Sequence, residues 1–359
     1  RTELVRQAKQ AFTEHLPNLS TCSLLDHVNG NPAARAIFST YPTMMNAIDE
    51  MRTADGARLF TPGHFDLIII DEAHRSIFKK YRAIFRYFDA LIVGLTATPK
   101  TDVDHNTYDF FDMEDDMPTY AYEYETALRE GYLADYHCIA KTFSIPTNGV
   151  TYAELSAEER ARYEDAFEEG EEPPEMIAPS EIDRIYFNAD TTRQVITDLM
   201  GKGLKIEGGD KLGKTIIFAR NHAHAEHIAR EFDRLYPAYH GEFARVIDHA
   251  VKNHESLLNK FRDPAKLPQI AISVDMLDTG IDIHEILNLV FYKRVFSKAK
   301  FWQMFGRGTR LCKDLFGAGK DKTVFYIFDY MGNFAFFAQN PKTIDAAAGK
   351  SLAERAFGL

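Results

Sequence analysis

Asp71 and Glu72 follow the apolar run Leu67–Ile70 (LIII) directly, in the sequence Asp71-Glu72-Ala73-His74. Ligands of open α/β sheets bind beyond the carboxyl ends of strands. An aspartate at that point can hold Mg²⁺ through its water shell, and the glutamate beside it can orient or deprotonate an attacking water. A capped helix start accounts for the same two acids; the four apolar residues upstream favour the metal-and-water reading. A second run, Leu91–Gly94, ends in Leu95-Thr96-Ala97-Thr98-Pro99. The hydroxyls of Thr96 and Thr98 can hydrogen-bond across a cleft to acids on the neighbouring strand. Alone this is a threonine-rich turn before Pro99, and its spacing after the first segment gives it meaning.

Far downstream lies Trp302–Leu311 (WQMFGRGTRL). Arg307 and Arg310 are three apart, so on a helix they share a face. Two forked guanidiniums there can clamp a γ-phosphate and stabilise charge in phosphoryl transfer; a basic helix facing solvent or DNA phosphates is the plainer alternative. Gly306 and Gly308 lower the stability of a surface helix, and a close approach of backbone to a ligand would justify them. In Ser273–Ile283 (SVDMLDTGIDI), after the run Ile270–Val274, Gly280 lets the chain pass near a nucleotide. Asp282 can accept from a ribose hydroxyl or an arginine. A strand, loop and helix with one tight turn explains that segment equally well.

Two tempting patterns carry no site. Gly208–Thr215 (GGDKLGKT) fits the P-loop spacing, but a working P-loop follows a strand and opens a helix. This one leads into the strand-like run Thr215–Ala219 and reads as a loop. The histidines of Asn221–His227 (NHAHAEH) have no convergent cysteine or carboxylate set for zinc, so His224 and His227 read as solvated helix residues.

Strands must carry these segments. Arg35–Ser39, Leu67–Ile70, Leu91–Gly94, Thr215–Ala219, Ile270–Val274, Leu289–Tyr292 and Val324–Phe328 are short, apolar and nearly without alternation, the pattern of parallel strands covered on both faces. Helical periodicity fills His224–Tyr236, stopped by Pro237, and Thr191–Met200, ended by Gly201. The expected fold is α/β, with two doubly wound parallel-sheet lobes over 1–140 and 190–335. An acidic linker or insertion, 141–189, joins them, and a tail covers 336–359. The 359 residues suit two domains. No apolar run approaches the roughly 18 residues of a membrane span. The three cysteines, Cys22, Cys138 and Cys312, suit a reducing cytoplasm. Net charge is −11, but residues 150–183 hold twelve acids and only Arg160 and Arg162 as bases, and Asp102–Asp116 holds seven acids and no lysine or arginine. The remainder is mildly basic and compatible with a nucleic-acid partner.

In their order these segments resemble superfamily 2 helicase–translocase motors of the DEAH type, whose two RecA-like lobes bind ATP between them. The resemblance assigns Asp71–His74 to motif II, Thr96–Thr98 to motif III, Ile216–Asn221 to motif IV, Ser273–Ile283 to motif V and Gln303–Arg310 to motif VI. It implies Asp71, Glu72, Arg307 and Arg310 as catalytic and His74, Gly280, Asp282 and Gln303 as nucleotide-binding. It makes Thr96 and Thr98 the coupling between lobes. Ser39–Met44 (STYPTM) occupies a nucleic-acid-contacting place, giving Thr40, Thr43, Arg220, Asn221 and Ser273 as nucleic-acid-binding. ATP and Mg²⁺, the latter on Asp71 through water, are the implied cofactors.

Tyr81–Pro99, Tyr108–Asp112 and Pro118–Tyr136 (PTYAYEYETALREGYLADY) are more narrowly similar to the motor (R) subunit of type I restriction enzymes. That implies a translocase on double-stranded DNA, working in phage defence with methylation and specificity subunits and without a membrane. No segment resembles the family's nuclease. Arg1–Ala8 (RTELVRQA) resembles motif Ia, which follows the P-loop in such motors. The first residue is Arg1, so a fragment without its phosphate cradle, weak or inactive alone, is expected. A stand-alone DEAD/DEAH-type helicase or repair motor is the alternative enzyme; a non-catalytic nucleic-acid-binding module is the alternative outside enzymes.

Overall fold

Short apolar runs become parallel strands in both halves of the chain. The computed structural model describes residues 2–25, 33–53, 55–73, 81–96, 101–102, 105–115, 117–140, 150–151, 176–177, 189–278 and 281–339. Its two compact units divide at Tyr122/Glu123.

In the first unit, helix α1 (Thr2–His15) leads to β1 (Thr21–Ser23), which pairs in parallel with β2 (Ala36–Phe38). Helix α2 (Tyr41–Asp49) follows. Strand β3 (Leu67–Asp71), helix α3 (Arg82–Tyr87) and strand β4 (Leu91–Leu95) form a βαβ unit whose strands pair in parallel. Ile68, Ile70 and Ile92 pack with Ile84, Phe85 and Phe88. Gly94 is required there, because a Cβ would stand 2.2 Å from the Phe111 ring. The alternate residues Leu67, Ile69, Leu91, Val93 and Leu95 are between 44% and 75% exposed. Burial on both faces, expected from these runs, is thus not met in this unit.

It is met in the second. Strands β5 (Asp135–Ala140), β6 (Lys214–Phe218), β7 (Ala244–Val246), β8 (Ile270–Ser273), β9 (Ile286–Phe291) and β10 (Val324–Asp329) form one parallel sheet in the order β7-β8-β6-β9-β10-β5. On one face, helices α4 (Ala189–Lys202) and α5 (His222–Leu235) cover Ile217, Ile272 and Val290 through Val195, Ile196, Leu199, Ile228 and Phe232. On the other, α6 (His254–Arg262) and α7 (Lys298–Phe305) cover Ile216, Phe218, Leu289 and Ile327 through Leu258, Phe261, Phe301 and Met304. Helix α8 (Asn333–Gln339) follows β10.

The boundary expected at residue 140 is corrected. Asp135–Ala140 pairs along its whole length with Val324–Asp329 and so belongs to the second unit. Helix α4 also runs through Gly201 to Lys202. Of the acidic segment, the described part is an antiparallel pairing of Val150–Thr151 with Met176–Ile177.

Candidate functional site

The register of β3 and β4 places Asp71 opposite Leu95, so Asp71-Glu72 and Thr96 leave the sheet side by side at its carboxyl edge. Asp71 is exposed, and its Oδ1 accepts from Glu72 N–H at 3.0 Å. Glu72 has φ 53°, in the left-handed region, where a non-glycine residue is strained. The chain turns off the strand there, and Ala73 is fully buried. Thr96 is half-buried. His74 and Thr98 lie outside the described residues.

In the second unit, Ser297 caps α7 by accepting from Lys300 N–H, and the helix ends at Phe305. Arg307 and Arg310 therefore lie beyond the helix, which corrects their placement on one helical face. A Cβ on Gly308 would stand 2.2 Å from the Phe325 ring, so the close approach this glycine permits is to β10 and not to a ligand. Arg307 donates through Nε to the Gln303 carbonyl at 3.0 Å and through Nη1 to the Ile281 carbonyl. Arg310 donates through Nε to Asp282 Oδ1 at 2.7 Å. Burial raises the Asp282 carboxyl, but the Arg310 hydrogen bond and charge outweigh it and hold the group below its ordinary range. Gln303 is buried on α7. Gly280 lies outside the described residues.

The P-loop look-alike has another use. Lys214 opens β6 and donates to the carbonyls of Lys266 and Pro268 at 2.6 and 2.8 Å, with burial pushing its ammonium down to about 8. It packs inside and reaches no phosphate.

The expected nucleic-acid residues take separate places. Thr40 caps α2, accepting from Thr43 N–H at 3.4 Å, and the two hydroxyls lie 2.9 Å apart. Asn221 caps α5, accepting from His224 N–H at 2.9 Å. Arg220, half-buried, precedes it at the carboxyl end of β6. Ser273 is corrected: it is fully buried, and its hydroxyl accepts from Leu277 N–H, holding the loop from inside. His224 and His227 are buried as well, not solvated. His224 Nδ1 accepts from Arg220 N–H, and burial pushes its pKa down to about 3, so the ring is neutral. Sequence reasoning passed over His222. Its Nδ1 lies 2.7 Å from Asp248 Oδ2 and its Nε2 3.4 Å from Glu226 Oε1, bridging the start of α5 to the loop after β7.

The first unit's donor set fits Mg²⁺ held through water. One exposed carboxylate, Asp71, ends a strand, and no group of three or more His, Cys, Asp or Glu able to hold an ion directly occurs among the described residues.

Two family models match in chain order: type III restriction enzyme, res subunit, over residues 1–101, and helicase conserved C-terminal domain over residues 194–312. The chain is 29% identical over 318 residues to the type I restriction enzyme EcoKI endonuclease subunit of Escherichia coli strain K12, covering 77% of this chain and 25% of that subunit. It thus spans a quarter of that relative's length. Among solved structures it matches a fragment described as an HsdR subunit of a type I restriction enzyme from Vibrio vulnificus YJ016, with TM-score 0.62 and 24% identity over 93% of this chain and 53% of that one. It also matches Saccharomyces cerevisiae Dbp5 bound to RNA and ADP BeF3, with TM-score 0.52 and 15% identity over 96% and 73%. These two likenesses show the fold. The chain is mixed α/β with a six-stranded parallel sheet, and its structural neighbours are RecA-like superfamily 2 helicases. More particularly, it is similar in sequence to the endonuclease subunits of two Escherichia coli type I restriction enzymes, EcoKI and EcoAI.

Proposed function

We propose that the chain is the ATP-dependent motor part of a type I restriction enzyme R subunit, moving double-stranded DNA in the cytoplasm alongside methylation and specificity subunits. The observation that carries this reading is the paired end of β3 and β4: an exposed aspartate, a glutamate in the left-handed region and a threonine leave one sheet edge together. Such a group suits water activation beside a phosphate. Asp71 would hold Mg²⁺ through its water shell, and the ion would supply positive charge against the charge that develops on the phosphate.

In this reading Asp71 anchors the ion's water shell and Glu72 orients or deprotonates the attacking water. Arg307 and Arg310 exchange their bonds to Ile281 and Asp282 for the γ-phosphate when ATP binds. Thr96 and Thr98 couple the units, with His74, Gly280 and Gln303 around the nucleotide. Thr40, Thr43, Arg220 and Asn221 supply hydroxyl, guanidinium and amide groups to DNA phosphates, which gives little base specificity and affinity that falls with salt. Turnover by these 359 residues alone is weak or absent, since Lys214, the lysine of the P-loop-like segment, is held by the carbonyls of Lys266 and Pro268.

The test is DNA-stimulated ATP hydrolysis by the full-length protein. Glu72→Gln should lower kcat by about a hundredfold or more, the order lost when a general base is removed. Wild-type turnover in that variant would refute the proposal.

A further inference from the structure

Four charged side chains outside that machinery meet between the loop after β8 and the first turn of α7. Lys293, just past β9, is 6% exposed in its side chain. It donates to the Val274 carbonyl and, at 3.3 Å, to Asp275 Oδ1; its ammonium lies 3.6 Å from Asp278 Oδ2. Lys300, on α7, hydrogen-bonds the same Asp275 oxygen and lies 3.4 Å from the same Asp278 oxygen. Each lysine thus reaches both aspartates, and Asp278 is 4% exposed in its side chain.

The pairing is more than surface decoration. A buried carboxylate is costly unless cations face it, and Asp278 has two. Lys298 and Lys300 also place two cations at a helix start, where the macrodipole disfavours them. Aspartates from another segment offset that. The far end of the same loop is tied as well, through Arg307 to the Ile281 carbonyl and Arg310 to Asp282. The loop is therefore fastened both to the first turn of α7 and to the segment just past its last.

We propose that Lys293 and Lys300 are positioning residues that bind Asp275 and Asp278, in the loop after β8, to the start of α7, so that displacement of this loop carries Arg307 and Arg310 with it. This deepens the nucleotide reading above and rests on it. Without the lysines, the loop would be joined to the arginines only by the bonds to Ile281 and Asp282 that they give up to the γ-phosphate. The chemistry should suffer while ATP binding by the other groups persists.

Two readouts test this. In the 359-residue chain Trp302 is the only tryptophan and lies two residues past Lys300 on α7. Acrylamide quenching of Trp302 should rise clearly in Lys300→Met without nucleotide and return to wild type in Lys300→Arg. In the full-length protein, Lys300→Met should lower kcat by about tenfold or more with KM for ATP little changed, the pattern of lost transition-state positioning. Lys300→Arg should restore it. If Lys300→Met does not fold, Asp275→Asn, whose side chain is 64% exposed, carries the same expectations.

Unchanged quenching, a loss confined to KM, or failure of the arginine to rescue overturns the proposal. Glu72→Gln, run in parallel, separates the two failures. If it is inactive while Lys300→Met is normal, only the positioning claim falls. If it is fully active, the nucleotide reading falls and takes the positioning role in catalysis with it.

Discussion

Replacing Gly308 by alanine separates a packing role for this glycine from a ligand-facing one. The added Cβ would stand 2.2, 2.4 and 2.7 Å from three atoms of the Phe325 ring. That ring is fully buried, 5.5 Å from Phe305 and 6.2 Å from Tyr136 between centroids, so it has no open side to turn into. Overpacking of this kind costs about 1–3 kcal/mol, and three contacts this short argue for the upper half. Against it, alanine reduces the freedom of the unfolded chain, worth about 0.4–1 kcal/mol. The clash wins, leaving a net loss of about 1–2 kcal/mol. For a unit of this size that lowers Tm by roughly 2–8 °C.

Thermal and urea unfolding of Gly308→Ala, Phe325→Leu and the double variant measure it. The double should be less destabilised than the sum of the singles, with a coupling of about 0.5–3 kcal/mol, because the alanine methyl enters space the ring has left. An unchanged Tm in Gly308→Ala, or strict additivity, would refute the packing argument and return the glycine to a ligand.

Two further expectations concern the surface. Hydrogen bonding to Asp248 raises the His222 pKa, against a smaller opposing effect of burial. The stabilisation this pair provides is then fully present below the unfolded value near 6.5 and is lost as pH rises through the higher folded value. Asp248→Asn should flatten that part of the pH–stability profile, and an identical profile would contradict the pair's role. Leu91 is 75% exposed on the bare face of β3 and β4. Leu91→Lys should shift stability by no more than about 0.5 kcal/mol while lowering binding of an apolar dye; a loss beyond about 1 kcal/mol would mean the side chain is covered.

The strands that sequence made legible are those that needed no partner to be recognised. Leu67–Ile70 and Leu91–Gly94 are uninterrupted apolar runs, so their ends, and with them Asp71 and Thr96, could be placed before any fold was known. Asp135–Ala140 (DYHCIA) could not. It is a half-polar edge strand, exposed at most positions, and pairs with a segment almost two hundred residues away. The same holds within the site. Three-residue spacing put Arg307 and Arg310 on one helix face, but the helix ends at Phe305 and Gly308 packs against Phe325, a contact no local pattern announces. Asp282 was legible as an acceptor for an arginine, and Arg310 supplies it across 28 residues. His224 looked polar and solvated because its helix face depends on Tyr292, whose ring lies 4.7 Å away. The bare face of β3 and β4 shows the reverse: sequence asks for cover that the described residues do not provide.

In the proposed function Asp71, Glu72, Arg307 and Arg310 act on one nucleotide. A structure of the full-length protein with a non-hydrolysable ATP analogue and Mg²⁺ tests it most directly. The prediction is that Asp71 lies on the ion's water shell while Arg307 and Arg310, released from Ile281 and Asp282, contact the γ-phosphate of that same nucleotide. A bound analogue with both arginines still tied to residues 281 and 282, or turned away from Asp71, would contradict it.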